Sequence, residues 1–294
     1  MVYSERTGKH VVDYIMHRII VFLLVSLPVL GLAAESYRSN FSRIAEGDDG
    51  QPQSLQLAII TYAKADSPGD VRVDLVTAVH VGDSSYYEAL NRRFKKYDAL
   101  LYELVAPEGT VITPDMKPTG VVSGLQRGMT TMLELSFQLE EINYAQPNFV
   151  HADLSPTEFW QDMSSRNESM YSLFWNLVYA SIREYGRDPL GLRNMDAMAA
   201  SVRARNNSNP LKVMMAYEFA NLDRFESMLG DDDKSTLIGV RNQRAIDVMS
   251  REIENGAVRL GIFYGAAHMR DLENRLVADG YRPIHTEWID AWAL

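Results

Sequence analysis

Two histidines, each placed at the end of an apolar run, are the residues of this sequence best suited to chemistry. His80 ends the run DLVTAVH, and His268 ends the run RLGIFYGAAH. A carboxylate follows each of them after one amphipathic segment and within a second apolar run, Glu103 after His80 and Glu287 after His268. A carboxylate in an apolar run needs a cation or several hydrogen-bond donors to offset its desolvation. A divalent metal bound by the histidines would supply such a cation.

Two imidazoles and one carboxylate leave coordination positions open for water on Zn²⁺, Mn²⁺, Co²⁺ or Fe²⁺. A metal-bound hydroxide at such a site is a nucleophile for hydrolysis. The sequence therefore predicts His80, His268 and Glu103 as metal ligands, with Glu287 as a reserve carboxylate that acts as ligand or general base. Cysteine is absent, so thiolate ligands and a cysteine nucleophile are excluded. HExxH, G-x-S-x-G and P-loop motifs are absent as well.

The elements that position these residues follow the same order twice. An apolar run, a histidine, an amphipathic segment and a second apolar run occur in residues 55–107 and again in residues 257–292. Open α/β sheets place their chemistry at the carboxyl ends of the strands. We therefore expect two related strand–histidine–helix–strand halves that contribute to one mixed sheet, with both histidines at one crevice. Asp83 and Asp271, each three residues after a histidine, either orient an imidazole or cap a helix.

The sequence between the two halves has a helical character. A capping box and a first-turn proline mark one helix start at Ser155-Pro156-Thr157-Glu158. His151 and Asp153, just before this start, form a second-rank pair of candidate site residues. We predict an α/β (α+β) fold with a helical block inserted at residues 120–256. The predicted helices are Val121–Ile142, Ser155–Met163, Ser165–Glu184, Arg193–Asn206, Pro210–Leu229 and Lys234–Glu254.

The N-terminal region has the layout of a secretory signal peptide. Residues 16–35 combine a short basic start, an apolar core and small residues at its end. We predict a signal peptide over residues 1–34, with an uncleaved N-terminal anchor as the alternative. A polar, flexible lead-in follows at residues 35–54, and a single domain occupies residues 55–294. The protein is thus expected to be exported, periplasmic or extracellular, and to meet a membrane only through an uncleaved N-terminal segment.

Composition limits the class of partner. The chain of 294 residues is 46% hydrophobic, which is enough apolar sequence for a packed core. Its formal net charge is −10. Nucleic acids and anionic membranes require a basic face, so neither is an expected partner.

Short motifs around these residues resemble one known family. The block T-A-V-H-V-G-D followed by Y-E-L-V, the segment V-R-N-Q-R at residues 240–244, and the closing G-A-A-H-M with D-G-Y are similar to the TraB/GumN/Tiki group. That group belongs to a wider set of erythromycin-esterase-like and ChaN-like folds. The resemblance implies a pair of G-x-x-H motifs, a strand-end glutamate and an arginine–asparagine pair. Carried onto this sequence, it implicates His80, Glu103, Arg241, Asn242, Gly265 and His268.

The resemblance also implies an activity. It implies a metal-dependent, protease-like hydrolase for the Tiki branch, and esterase chemistry or haem binding for distant relatives. Arg241 then becomes a candidate to polarise a substrate carbonyl. We count Asn242, Arg244 and Asp153 as candidate substrate-binding residues.

Two functions are therefore expected from the sequence. The first is an exported metal-dependent hydrolase, protease-like or esterase-like, acting on a peptide or a small ester or amide. Two positions depart from the family motif, since Thr77 replaces a glycine and Val105 replaces an aspartate. Those departures favour the second function, a non-catalytic exported protein that binds haem, a metal or a peptide in the same crevice.

Overall fold

The computed structural model describes residues 39–64, 70–107, 110, 135–166, 209–220 and 235–294. Residues 40–294 belong to one compact unit. The predicted signal peptide lies outside the described residues. The predicted helix Arg193–Asn206 and all but the first two residues of Ser165–Glu184 lie outside them too.

A seven-stranded mixed sheet forms the centre of this unit. Its strands are β1 (Ser42–Glu46), β2 (Pro52–Ala63), β3 (Arg72–Ala78), β5 (Ala99–Tyr102), β7 (Phe149–His151), β8 (Arg259–Gly265) and β9 (Arg282–Ala293), and a separate two-stranded sheet joins β4 (Val81–Gly82) to β6 (Ser136–Phe137). The order across the main sheet is β9, β2, β3, β8, β5, β7, and β1 pairs with the first half of β2. Strands β3, β8, β5 and β7 are parallel, whereas β2 is antiparallel to both β3 and β9.

Helices connect the strands. They are α1 (Ser84–Phe94), α2 (Gln138–Glu141), α3 (Pro156–Ser165), α4 (Pro210–Ala220), a π-helical turn (Thr236–Val240), α5 (Arg241–Glu254), a 3₁₀ turn (Ala266–His268) and α6 (Met269–Ala278). Among the described residues, no helix is both long enough and apolar enough to cross a membrane.

The sheet carries an apolar core on each face because successive strand residues point to opposite sides. Val76 and Phe263 pack on one face against α1, whose Tyr87, Leu90 and Phe94 are fully buried. The alternate positions of the same strands, such as Leu75 and Ile262, pack on the other face against α5 and α6. The sheet is therefore a central layer between two layers of helices.

The two expected halves are present as β3–α1–β5 and β8–α6–β9. Their first strands are direct neighbours, because β3 pairs with β8 and Ala78 lies opposite Gly265. The carboxyl ends of these parallel strands therefore lie at one edge of the sheet, where both histidines follow. The α+β fold class predicted from the sequence is confirmed.

The structure corrects several predicted elements. Residues 42–46 of the expected flexible lead-in form β1, which pairs with β2. Within the predicted helix Val121–Ile142, the described part holds β6 and only the four-residue α2. Strand β7 interrupts the expected helical block, and the predicted helix Lys234–Glu254 begins with the π-helical turn. Ser155–Met163 is confirmed as α3, and α4 confirms the first half of Pro210–Leu229.

Candidate functional site

Four parallel strands deliver polar residues to one edge of the sheet. His80 follows β3, Glu103 follows β5, Asp153 lies just beyond β7, and His268 follows β8. In open α/β sheets this carboxyl edge is the usual place for a ligand crevice. Each of these residues follows the carboxyl end of its strand. Because the four strands are parallel, all four residues lie at the same edge of the sheet.

Arg241, the first residue of α5, joins two of the carboxylates. Its Nε donates to Asp153 Oδ1 at 2.9 Å, and its Nη2 donates to Asp153 Oδ2 at 2.6 Å. The same Nη2 donates to Glu103 Oε1 at 2.7 Å. The Asp153 side chain is fully buried, and that of Arg241 is 11% exposed. The shared cation and its hydrogen bonds offset the cost of burying two carboxylates away from water.

The π-helical turn before α5 aims Arg241 at the strand ends. Ser235 caps this turn by accepting a hydrogen bond from Ile238 N. The carbonyl of Leu237 accepts a further hydrogen bond from Arg241 Nη1 at 3.3 Å. A π-helical turn contains an extra residue, which shifts the side chains that follow it around the helix axis, and such turns occur frequently at functional sites.

Glu103 is held as a carboxylate by its surroundings. Burial raises its pKa, but electrostatic interactions with His268, Arg241 and His80 outweigh burial and hold the pKa well below its usual range. The backbone N–H of Gly265 donates to Glu103 Oε2 at 2.7 Å. A Cβ at Gly265 would lie only 3.2 Å from that oxygen, so glycine permits the close approach. Glu103 is therefore an acceptor and a fixed negative charge at neutral pH.

Asn242 fixes the proton position on the His268 ring. Its Nδ2 donates to the His268 carbonyl at 3.1 Å and to Asp271 Oδ2 at 2.7 Å. With both hydrogens of the amide used, Asn242 Oδ1 acts as an acceptor, and His268 Nδ1 donates to it at 2.7 Å. The other nitrogen, Nε2, lies 3.5 Å from both Glu103 Oε1 and Arg241 Nη1. A neutral His268 thus presents a lone pair at Nε2, where a general base needs it.

His80 is placed differently from His268. His80 is exposed, whereas only 4% of His268 is exposed. The backbone carbonyl of His80 accepts a hydrogen bond from Gln138 N at 2.9 Å. His80 acts on Glu103 electrostatically, and the described contacts include no hydrogen bond between their side chains. It therefore lies at the open side of the cluster.

The described residues do not form the expected metal centre. Within the described ranges, no three His, Asp or Glu side chains are arranged to hold a metal ion. The two expected ligands that face each other, His268 Nε2 and Glu103 Oε1, are both next to the Arg241 guanidinium. That guanidinium supplies the positive charge that a metal would bring, and it would repel a second cation. In this arrangement the residues do not fit a metal ion, and the predicted Mn²⁺, Co²⁺ or Zn²⁺ remains a prediction.

The other predicted site residues lie apart from this cluster or at its border. Glu287 lies in the middle of β9 and pairs with Arg93 at 2.8 Å, on the α1 face of the sheet. Arg244 pairs with Glu158 at the start of α3. Asp271 takes part through its hydrogen bond with Asn242. Asp83 instead accepts from Lys212 Nζ at 3.2 Å and from the backbone N–H of Ala293 at 2.6 Å.

The two departures from the family motif are accommodated locally. Val105 packs in a small apolar cluster with Leu154 and Leu237, beneath the π-helical turn. Thr77 is buried on β3, opposite Tyr264, and its hydroxyl has no hydrogen-bond partner in the described part of the chain. Apolar packing thus takes the place where the family motif has an aspartate.

The sequence does not indicate Gln138 and Tyr144, although both are buried, are hydrogen-bonded to each other, and lie next to Tyr102, the residue before Glu103. Gln138 falls within the predicted helix Val121–Ile142, where a polar residue gives no signal of a site, and Tyr144 follows that helix. Their position depends on β6 and on the turn after α2.

The site thus comprises Glu103, Asp153, Arg241, Asn242 and His268 in one hydrogen-bonded cluster, with His80 at its open side. In comparisons with known proteins, no family model matches the chain, and neither a curated protein nor a solved structure matches it significantly. The TraB/GumN/Tiki resemblance therefore rests on the residues of this sequence alone.

Proposed function

We propose that this protein is an exported hydrolase that cleaves an amide or ester bond at the carboxyl edge of its sheet. One observation carries the proposal: a histidine whose proton is fixed on Nδ1 has its other nitrogen 3.5 Å from both a carboxylate and a guanidinium. A base, a negative charge and a cation within reach of one another are the parts that acyl transfer uses.

His268 is the proposed general base and Arg241 the proposed electrophilic group. Nε2 of His268 takes a proton from water, and the water oxygen forms a bond to the substrate carbonyl carbon. The carbonyl electron pair moves to its oxygen, next to the Arg241 guanidinium. When this electron pair forms the C=O bond again, the bond to the leaving nitrogen or oxygen breaks, and His268 gives its proton to that atom. The products are a carboxylic acid and an amine or alcohol.

Glu103 supports these reaction steps without giving up or taking a proton. Because its pKa is held well below the usual range, it is ionised at neutral pH and has no proton to donate. Its negative charge lies 3.5 Å from His268 Nε2, where the imidazolium forms during the reaction. Asn242 keeps the ring in the required tautomer through Nδ1.

Burial of the cluster favours the second candidate, a binding protein for a peptide. The His268 side chain is only 5% exposed, and both of its nitrogens face protein groups. A haem iron would need an open nitrogen, so His268 does not fit as a haem ligand. In a binder, Arg241 and Glu103 would be structural, and the exposed His80 would contact the ligand.

Turnover separates the two candidates. A mixed library of peptides, amides and small esters should be hydrolysed by the purified protein, and His268→Ala should abolish this. His285→Ala is the matched control, because His285 is exposed on β9. Saturable binding of a peptide without turnover, or turnover retained in His268→Ala, would contradict the proposed hydrolase.

Metal analysis tests the remaining expectation. Protein purified without chelators should be assayed for Mn, Co and Zn, and library turnover should be compared before and after dialysis against a chelator. The arrangement around Arg241 predicts turnover that survives the chelator. Stoichiometric metal that is lost in His80→Ala, together with chelator-sensitive turnover, would instead support the metal-dependent mechanism expected from the sequence.

A further inference from the structure

Outside the cluster, Gln138 and Tyr144 form a polar pair at the same edge of the sheet. The backbone N–H of Gln138 donates to the carbonyl of His80 at 2.9 Å, which ties it to the end of β3. Its side-chain Nε2 donates to the Tyr144 hydroxyl at 2.9 Å. The Tyr144 ring packs edge-on against Tyr102, the residue before Glu103, with ring centroids 5.3 Å apart. The pair therefore lies between the ends of β3 and β5.

Gln138 carries a buried acceptor that no group among the described residues satisfies. The residue is 6% exposed, and its Oε1 has no hydrogen-bond partner in the described part of the chain. A buried acceptor without a partner is costly, because the desolvation of that oxygen is not offset. Since Oε1 and Nε2 share one carbon atom, the open acceptor lies beside the Tyr144 hydroxyl.

Tyr144 adds a donor to this acceptor. Its oxygen accepts from Gln138, so its own hydrogen remains for another group, and the described residues include no acceptor for it. Burial raises the pKa of Tyr144, and the negative charge of Glu103 raises it further, so the hydroxyl keeps its proton at neutral pH. Because Tyr144 packs against Tyr102, the residue before Glu103, this donor lies next to the cluster.

We propose that Gln138 and Tyr144 form a subsite for one residue of an extended peptide substrate, with Gln138 Oε1 accepting the N–H of that residue and the Tyr144 hydroxyl donating to its C=O. This inference rests on the proposed function in that it places the subsite in the crevice of the proposed hydrolase, and it selects peptides over simple esters. An ester oxygen has no hydrogen, so it would leave Gln138 Oε1 unsatisfied. A polar group left unpaired on binding discriminates strongly between two ligands of the same shape.

Matched ligands test the subsite by binding. The probes are acetyl-tetraalanine methylamide and a set of depsipeptides in which one amide N–H at a time is replaced by an ester oxygen. Dissociation constants are measured by NMR titration. One of the depsipeptides should bind about tenfold to a hundredfold more weakly than the amide, which is the cost of one unpaired buried acceptor.

Variants assign that difference to Gln138. The penalty should disappear in Gln138→Met and persist in Gln146→Met, a glutamine in the turn after α2 whose side chain makes one described hydrogen bond, a long one to the Asn143 carbonyl. Tyr144→Phe should weaken the amide and the depsipeptides alike, which keeps the test decisive if Gln138→Met does not fold. Equal binding of all probes, no binding of any probe, or a penalty that persists in Gln138→Met would overturn the subsite.

Failure of the subsite is distinguishable from failure of the proposed function. Binding is measured without reference to turnover, so a protein that prefers the amide but cleaves nothing retains the subsite and loses the hydrolase. A protein that cleaves esters and peptides through His268 without a binding preference retains the hydrolase and loses the subsite.

Discussion

At the scale of single residues, Arg241 is the group on which the cluster depends. It bonds to Glu103 and Asp153, which come from the ends of two different strands. Burying two carboxylates costs free energy, which their shared cation and its hydrogen bonds offset. Arginine suits the role because its guanidinium stays protonated and forms two parallel hydrogen bonds to one carboxylate.

Replacing Arg241 should therefore destabilise the protein strongly. Arg241→Met leaves two carboxylates without their shared cation, and we expect the free energy of unfolding to fall by about 3–5 kcal/mol. Arg244→Met is the matched control on the same helix, because its partner Glu158 is exposed and such pairs contribute at most about 1 kcal/mol. Urea denaturation of both variants measures the difference. Equal losses would show that Arg241 does not carry the cluster.

The proton position on His268 gives a second prediction at this scale. The ring ¹⁵N shifts of the wild type at alkaline pH should show the hydrogen on Nδ1, because Asn242 Oδ1 accepts it. In Asn242→Ala the hydrogen should move in part to Nε2, where Glu103 Oε1 is the nearest acceptor. The exposed His285 serves as the internal control, with unchanged shifts. A wild-type ring with its hydrogen on Nε2 would contradict the arrangement.

Short motifs in the sequence predicted most of the residues of the cluster. They also placed Glu287 near the cluster, and the structure places it elsewhere. His268 ends an apolar run, a pattern that marks the carboxyl end of a strand, and Glu103 interrupts an apolar run directly after β5. Glu287 also lies in an apolar run, but it pairs with Ile59 in the middle of the long strand β9. The register of an antiparallel pair depends on contacts between distant segments, which spacing in the sequence does not contain.

At the scale of elements, local signals were reliable where the chemistry is local. The capping box at Ser155 is present, with hydrogen bonds between its side chain and Glu158 N and between its backbone N–H and the Glu158 carboxylate. The π-helical turn before α5 had no comparable signal. The residues around it take part in tertiary contacts, because Arg241 bonds to Glu103 and Asp153 and Leu237 packs in the cluster of Leu154.

The cap should contribute measurably to stability. Ser155→Ala removes the acceptor for Glu158 N, and we expect a loss of about 1 kcal/mol in the free energy of unfolding. Ser165→Ala, at the exposed end of the same helix, is the control and should change stability by less than about 0.5 kcal/mol. Thermal and urea unfolding give both values. A Ser155→Ala variant as stable as the control would show that the cap is dispensable.

The acid dependence of stability gives a second prediction for α3. The side chain of Arg244 and the backbone N–H of Ser155 both donate to Glu158 and lower its pKa to about 2. A lowered pKa in the folded state means that ionised Glu158 stabilises the protein at neutral pH and that this contribution is lost as the pH falls to about 2. Wild type should therefore exceed Glu158→Gln in Tm at neutral pH. The difference should shrink below about pH 4, and a difference that stays constant to acid pH would contradict the assignment.

At the scale of the whole molecule, the sequence predicted the two halves but not how they combine. Strand β8 of the second half lies between β3 and β5 of the first half and pairs with both. Each half on its own therefore lacks a neighbouring strand. Apolar runs show that strands are buried, but they do not specify which distant strand lies next to them.

The first half should consequently fail to fold alone. A fragment of residues 40–107 contains β3 and β5 without the strand that separates them, so we expect no cooperative unfolding transition. Residues 40–294 provide the comparison. Circular dichroism and amide hydrogen exchange measure both. Protected amides in β5 of the short fragment would show that the halves are independent.

The central position of β8 also bears on the time at which the sheet forms during synthesis. β8 begins at Arg259, so most of the chain leaves the ribosome before the strand that joins β3 to β5 is available. Contacts between segments so far apart are formed slowly, because the closure of the long loop comes first. Nascent chains of this protein should therefore lack the complete sheet, and should remain accessible to chaperones, until β8 has been synthesised.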